Sequence, residues 1–479
     1  LKNIINIIFN IGGSMKVELL GTNDKNKLEE RIKVVSAAGR LSRYNGTAFE
    51  ILEKFNDYEK NLNLIKRIIS MGHESITDHD YLVFGIENVS PIVEQTIIEE
   101  RFSSFTIKSR REVNFSQVGY YVPTFKDKNG NVLPNQDEIK EKYMNHMQYL
   151  FDSYQKLVDL GIPMEDARFV LPYSYHSNII MGVDAHTLKK MILEYTKGTK
   201  SNIPEIKEFG EKLYEVVKEN VPYYKEIIDL SVPTTDKIKE KLDSIVDKSY
   251  EIIDKPILIN SFENIDQNII IAALIKRYQY SYEQALKIYE EKLKDNVELC
   301  QEIMYEIYNG DQKELSQISF QFQIPISLAI LTHITRHRTY NPIIPDFVPI
   351  HDLSKYKTPK TINNKCLELY NEIFNKNLEV YQEFKEMGVR EEDLIYFHLS
   401  GNMVNILVNM DGKTLAWITH LRTCNKAQWE IRDIFNEIRK QVKDKCPIYG
   451  TILGPDCEVR KICNEGKESC GKINVLVKR

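Results

Sequence analysis

Thr332-His333-Ile334-Thr335-Arg336-His337-Arg338-Thr339-Tyr340-Asn341 is the stretch on which the reading of this chain turns. An apolar run, Phe320, Phe322, Ile324, Ile326, Leu328, Ile330 and Leu331, leads into it, so Arg336, His337 and Arg338 emerge where a buried segment surfaces. Two guanidinium groups flanking an imidazole suit an anion. Arginine presents a planar fork of donors that matches phosphate oxygens or a pyrimidine carbonyl edge, and it keeps its charge at physiological pH. A solvated basic cap on a buried helix is the alternative that spacing leaves open.

The chain has 479 residues, more than one hydrophobic core usually organises, so two domains are expected. Its 42% hydrophobic and 28% charged content is that of a soluble globular protein, and its net charge of −5 argues against nucleic acid or an anionic membrane as the main partner. No apolar run reaches the ~20 residues needed to span a bilayer. Residues 1–14 read as an extension, since Met15-Lys16-Val17-Glu18-Leu19-Leu20 resembles a natural start. All seven cysteines, Cys300, Cys366, Cys424, Cys446, Cys457, Cys463 and Cys470, lie in the second half; an odd number without framework spacing fits a reducing cytoplasm. The last three, with Cys446, are candidate metal ligands. Their spacing matches no usual zinc knuckle, and free thiols on a tail, with no metal, is the reading taken.

Arg336-His337-Arg338 with Tyr340-Asn341, and downstream Arg422 with Ala427-Gln428-Trp429-Glu430-Ile431, resemble the signature of the flavin-dependent thymidylate synthases. That family's motif runs Arg-His-Arg-x-x-Ser-x-Asn-x-x-Ser-x-Arg-Tyr, and a later element reads Arg-x-x-x-x-Ala-Gln-Trp-Glu-Ile. Only the first part of the motif stands at 336–341, because Pro342 to Asp346 follow where a serine and an arginine belong. Its last part, Ser-x-Arg, stands at Ser109-x-Arg111, in a segment whose leading Arg-His is replaced by Glu99-Glu100. Gly72-His73-Glu74-Ser75 to His79, ahead of the strand-like Tyr81 to Ile86, resembles a segment that touches the flavin; capping chemistry is the plainer reading. Ala167-Arg168 to Leu171-Pro172 resembles the family's substrate element, with Ile395 at the matching place in the second half.

A tandem duplication accounts for this split. Gly388 follows Gly161, and Asp411 follows Asp184, by the same 227 positions (388 − 161 and 411 − 184). The resemblance implies an α+β fold of two homologous domains, residues 15–232 and 233–479, with a linker at Leu230 to Asp236, a mixed sheet and long helices. It implies a nucleotide site built from Ser109, Arg110, Arg111, Arg168, His333, Arg336 and Arg422, with Arg422 catalytic against the uracil edge. Ser75, Arg336, His337, Arg338 and Asn341 would meet FAD. The implied reaction makes dTMP from dUMP with methylenetetrahydrofolate and NADPH, at a composite site to which each half gives what the other has lost. A homodimer would then form a pseudo-tetramer, and no cysteine nucleophile is required, which leaves Cys424 a packing residue. Departures remain at Ile107 and Pro342, where the family has glutamate, and at His333, where it has glutamine. They leave open a different pyrimidine nucleotide or a non-catalytic nucleotide-binding relative. Solvated or ion-paired roles for His73, His79, Arg168 and Lys108 to Arg111 also stay open.

Overall fold

The computed structural model describes residues 14–22, 28–225, 228, 237–246, 251–346, 352–472 and 476–477. The expected extension, save Ser14, and the expected linker at 230–236 with its 232/233 boundary lie outside these residues.

In the first repeat, β1 (Lys16–Thr22), β2 (Tyr81–Val89), β3 (Ser103–Ile107) and β4 (Ser177–Asp184) form an antiparallel sheet in the order β1-β2-β4-β3. Leu82, Phe84 and Ile86 alternate on the buried face of β2, the period-2 pattern that commits a strand to one core. Around the sheet stand α1 (Leu28–Leu41), α2 (Tyr58–Ser70), α3 (Gln136–Asp159), α4 (Ala185–Lys197) and α5 (Pro204–Asn220). Asp184 ends β4 and caps α4, its carboxylate accepting from Thr187 N at 2.8 Å.

The second repeat follows the same plan with one strand fewer. Here β5 (Ile257–Ser261), β6 (Ser319–Ser327) and β7 (Met403–Asp411) form an antiparallel sheet in the order β5-β6-β7. Phe320, Phe322, Ile324 and Ile326 are fully buried on β6. The helices used below are α6 (Leu367–Glu386), α7 (Gly412–Arg422) and α8 (Trp429–Lys445). Asp411 caps α7 through Thr414 N at 2.6 Å, repeating the Asp184 cap. Both main sheets are antiparallel rather than mixed. The parallel pair among the described residues is the short β8 (Ile462–Cys463) with β9 (Leu476–Val477).

Two further pairs of equivalent residues carry the same contacts. Buried Glu205 accepts from Ser90 N at 2.7 Å and Ser90 Oγ at 2.5 Å; buried Glu430 accepts from Ser327 N at 2.8 Å and Ser327 Oγ at 2.6 Å. Each clamp fastens the end of a central strand to the first turn of a helix. Gly161 and Gly388, at φ 88° and 81°, end α3 and α6 in the left-handed conformation that favours glycine.

The chain divides into two compact units that do not follow the sequence halves: residues 1–250 with 346–402, and 251–345 with 403–479. The first unit therefore contains the long helices of both repeats. His146 Nε2 on α3 lies 2.9 Å from Asn377 Oδ1 on α6, and Phe125 and Tyr143 pack edge-on against Phe384. Beyond the helices, Tyr173 N donates to His398 O at 2.7 Å while Ser400 N donates to Leu171 O at 2.9 Å. Pro172 faces Leu399 in the antiparallel bridge between them. Since 399 follows 172 by 227, equivalent residues meet reciprocally, the mark of a local two-fold axis. Among the described residues no helix is long and apolar enough to cross a membrane.

Candidate functional site

In the first unit the cations gather behind β3. Arg110 is buried and gives Nη1 to both oxygens of Glu94 at 2.8 Å; Glu94 also accepts from Ser177 Oγ at 2.6 Å. Burial opposes the charge on Arg110, but the Glu94 carboxylate outweighs it and keeps the guanidinium firmly protonated. Arg110 is thus engaged in holding the loop. Arg111, half-buried, donates Nε to Glu165 Oε2 at 2.5 Å, and its backbone N donates to Ser109 Oγ at 3.2 Å. The segment is an anchored turn, not a solvated charged face.

Arg168 has the least compensated charge of the three. It begins the short 3-10 turn Arg168–Val170, is 2% exposed, and donates Nε to the backbone oxygen of Glu165 at 3.0 Å. Its Nη2 is buried with no partner among the described residues. Burial first, and then Arg110 nearby, pull its pKa down to about 10. The Glu165 carboxylate, already bonded to Arg111, offsets this only in part, and a buried guanidinium so placed is costly unless an anion completes it.

In the second unit the core run of β6 ends in the short helix Leu331–Thr335, and the charged triplet follows at its C-terminus. Arg336, Arg338 and Asn341 are exposed, whereas His337 is 2% exposed and His333 is buried. Arg422, in the last turn of α7, donates Nε to His337 Nε2 at 2.9 Å. That bond assigns the imidazole proton to Nδ1, which is buried without a partner among the described residues. Burial, then Arg422 and Arg336, push the imidazole down to about 3, so it is neutral at physiological pH. Trp417 stands edge-on to the ring, centroids 4.8 Å apart, and Tyr340 donates its hydroxyl to Ile334 O at 3.0 Å. The basic triplet is therefore no uniform solvated cap: one neutral, buried donor sits between two exposed cations.

Ser75 is exposed on the 3-10 helix Glu74–His79 and lines a groove of about 930 Å³ in the first unit. Arg40, Arg43, Lys60, Arg67 and His73 line it with Tyr44 and Phe55; no carboxylate lines it among the described residues, though Lys60 pairs with Asp57 at 3.1 Å. Arg40 stacks over Phe55 at 4.2 Å and is held by Asn61 Oδ1 at 2.8 Å. These cations were missed in the sequence, although Lys60 and Arg67 are two turns apart on α2 and so share a face. Glu74 is occupied elsewhere, by Lys189 Nζ at 2.7 Å. Glu99, expected to repel a pyrophosphate, is met by Lys200 Nζ at 2.7 Å.

The sequence profile of the family described as thymidylate synthase complementing protein matches residues 26–223 and again 257–448. The chain belongs to that family. The double match agrees with the tandem duplication, and the α+β class stands with it. Among curated relatives, the flavin-dependent thymidylate synthase of Geobacter sulfurreducens is 33% identical over 32% of this chain and 64% of its own length. That of Thermococcus onnurineus is 26% identical over 35% of this chain and 66% of its own. The chain thus spans just under two thirds of these relatives. A solved structure, a UMP/dUMP methylase from Streptomyces cacaoi bound with 5-Br dUMP, aligns with a TM-score of 0.38 at 19% identity, over 45% of this chain and 96% of that one.

Proposed function

We propose that this family member is an FAD-dependent thymidylate synthase that converts dUMP to dTMP, with methylenetetrahydrofolate as one-carbon donor and NADPH as reductant. The observation that carries the reading is Arg168, a buried guanidinium whose Nη2 has no partner among the described residues. It suits the phosphate of a nucleotide. Ser109 and Arg111 would bind the same phosphate and the sugar, and Arg110 would act through its pairing with Glu94 as a positioning residue. Arg336 and Arg422 would serve the base of the same nucleotide, Arg422 stabilising negative charge that builds on the ring as C5 becomes nucleophilic. His333, buried, would support this segment from behind.

The residues fit a flavin dinucleotide on two counts. The groove at Ser75 offers cations for a pyrophosphate and aromatic rings for stacking, and His337 Nδ1, unpartnered among the described residues, offers a donor to an acceptor edge. Ser75, Arg336, His337, Arg338 and Asn341 would hold the group. When bound, reduced flavin would supply the methylene relay and the hydride, with NADPH restoring its reduced state. The neutral state of His337 matters here, because it leaves Arg336 and Arg338 to balance the phosphates without a third charge. A homodimer, a pseudo-tetramer of repeats, is the assembly proposed.

Purified protein should be yellow and carry a flavin absorption band, and deuterium from reduced nicotinamide should appear in product made from dUMP. Rescue of a thymidine-requiring bacterium by the gene should accompany this. Label in a product from dCMP alone would point to another pyrimidine nucleotide. Colourless protein that takes up no added FAD would sink the proposal and favour a non-catalytic nucleotide-binding relative.

A further inference from the structure

The cysteines play no part in the chemistry above, and the structure groups them differently from the sequence. Cys446, expected beside the tail, is buried at the end of α8, where its backbone N donates to Val442 O at 2.8 Å. Burial first, with Asp266 nearby, pushes its thiol up to about 12. Its place is taken by Cys424. The thiol of Cys457 lies within electrostatic reach of Cys424, Cys463 and Cys470, and that of Cys424 within reach of Cys463 and Cys470. Hydrogen bonds tie the two segments together: Asn425 Nδ2 to Cys470 Sγ at 3.4 Å, Lys472 Nζ to Asn425 Oδ1 at 3.2 Å, and Lys426 Nζ to Glu468 at 3.3 Å. All four cysteines are free thiols and none is buried.

The segment that carries three of them has no core of its own. None of residues 457–472 is buried, yet the chain there follows a turn of helix, a left-handed Lys461 at φ 59°, β8 and a 3-10 turn at Gly466–Glu468. Ordering each residue costs about 1–2 kcal/mol of backbone entropy, which buried apolar area normally offsets. Small coreless segments are commonly held by a structural metal instead. A different cluster, Asp78, Asp184 and His186, has its ligand atoms within 4.8 Å of one another. There Asp184 is already occupied by the α4 cap and Asp78 by His186, so it carries no argument.

We propose that Cys424, Cys457, Cys463 and Cys470 form a structural site for a soft divalent ion of the Zn²⁺ class. An all-sulfur donor set selects such an ion, in tetrahedral geometry. Each ligand loses its thiol proton to solvent as its S–M bond forms, and the complex carries two net negative charges. In the same loops Lys426, Arg460, Lys461, Lys467 and Lys472 outnumber Glu458, Glu465 and Glu468 by two (5 − 3), which offsets them. No three of these sulfurs lie within 4.8 Å of one another, so the ion would draw all four together, the exposed Cys470 among them. Cys424 lies two residues beyond Arg422, so the ion also fixes the turn that follows α7.

The test uses the full chain, reduced and stripped with a chelator, then titrated with Co²⁺. One equivalent should bind with intense thiolate-to-metal charge-transfer absorption, which Zn²⁺ then abolishes, and Zn²⁺ should slow hydrogen exchange across 457–472. C424S and C470S should weaken Zn²⁺ binding by at least roughly 10–100-fold, and C446S should leave it unchanged. Co²⁺ binding without charge transfer, or equal losses in C446S and C424S, would overturn the site. Should the serine variants not fold, X-ray absorption on the zinc-loaded wild type decides: four sulfurs at about 2.3 Å support it, and an oxygen and nitrogen shell ends it.

Discussion

Arg168 and Ile395 occupy the same place in two copies of one scaffold. Each begins a three-residue 3-10 turn after a four-residue helix, Met164–Ala167 in one repeat and Glu391–Leu394 in the other, and each is buried. The backbone accepts isoleucine there without loss of form. The guanidinium is therefore not what shapes the turn, and a buried guanidinium with an unmet donor is poorly explained by stability. The serine–glutamate clamps teach the converse. Ser90 with Glu205 and Ser327 with Glu430 keep the same bonds in both repeats, as strand anchors must if each sheet is to persist. Duplication has preserved the frame twice and divided the charges.

The largest effect expected from breaking this division is on turnover. Arg422→Ala should lower kcat by roughly 10²–10³-fold, the scale for losing a donor that stabilises developing charge. Single-turnover formation of dTMP from dUMP measures it, and wild-type turnover would remove the role given to Arg422. Arg168→Ile, which copies the second repeat into the first, should weaken dUMP binding roughly ten- to hundredfold, the worth of a charge-assisted hydrogen bond. The same variant should be more stable without ligand, by up to about 1–4 kcal/mol in urea unfolding, because a buried charge that Glu165 offsets only in part is gone. Destabilisation with unchanged dUMP affinity would make Arg168 structural after all.

Removing either clamp should cost stability, and Glu205, which holds one donor more, should cost the more. Glu205→Ala strands Ser90 N, Ser90 Oγ and the Tyr396 hydroxyl, which bonds Glu205 at 2.9 Å, while Glu430→Ala strands Ser327 N and Oγ. About 1–3 kcal/mol per stranded donor is the scale, read from denaturation midpoints. A clamp that could be removed from one repeat at no cost would break the comparison.

The smallest effects concern pH. Burial raises the Glu205 carboxyl from 4.5 to about 7, so the folded chain holds a proton there that the unfolded chain releases. Its contribution is intact below pH 4.5 and is lost as pH rises through about 7; Glu205→Gln should flatten that fall. His337 runs the other way. Its pKa drops from 6.5 to about 3, so stability present above pH 6.5 is lost as pH falls toward 3, and His337→Gln should remove that slope. Thermal unfolding of both variants across this range would reveal a matching slope in the wild type or refute the assignments.

Much of the frame was legible in the sequence. The strand at Tyr81 appears where the pattern placed it, and Gly161 and Gly388, matched by the 227-residue offset, end equivalent helices. What could not be read was partnership. Residues 346–402 belong by sequence to the second repeat and by packing to the first unit, because α6 buries its face against α3 of the other copy, and periodicity shows that a face is apolar without showing what covers it. Arg110 looked like a ligand-binding cation until Glu94, 16 residues earlier, was seen against it. Asp184 and Asp411 stood out only by their 227-residue offset, and their carboxylates turn out to cap helices. Cys424 was passed over for Cys446 because spacing along the chain says little about which thiols a later turn brings together.

The reciprocal bonds across Pro172 and Leu399 join two copies that one peptide chain already tethers. Two separate subunits meeting by such a seam would drift apart on dilution, whereas here the partner arrives at a local concentration set by the tether alone. The seam should survive at protein levels too low to hold any ordinary pair together.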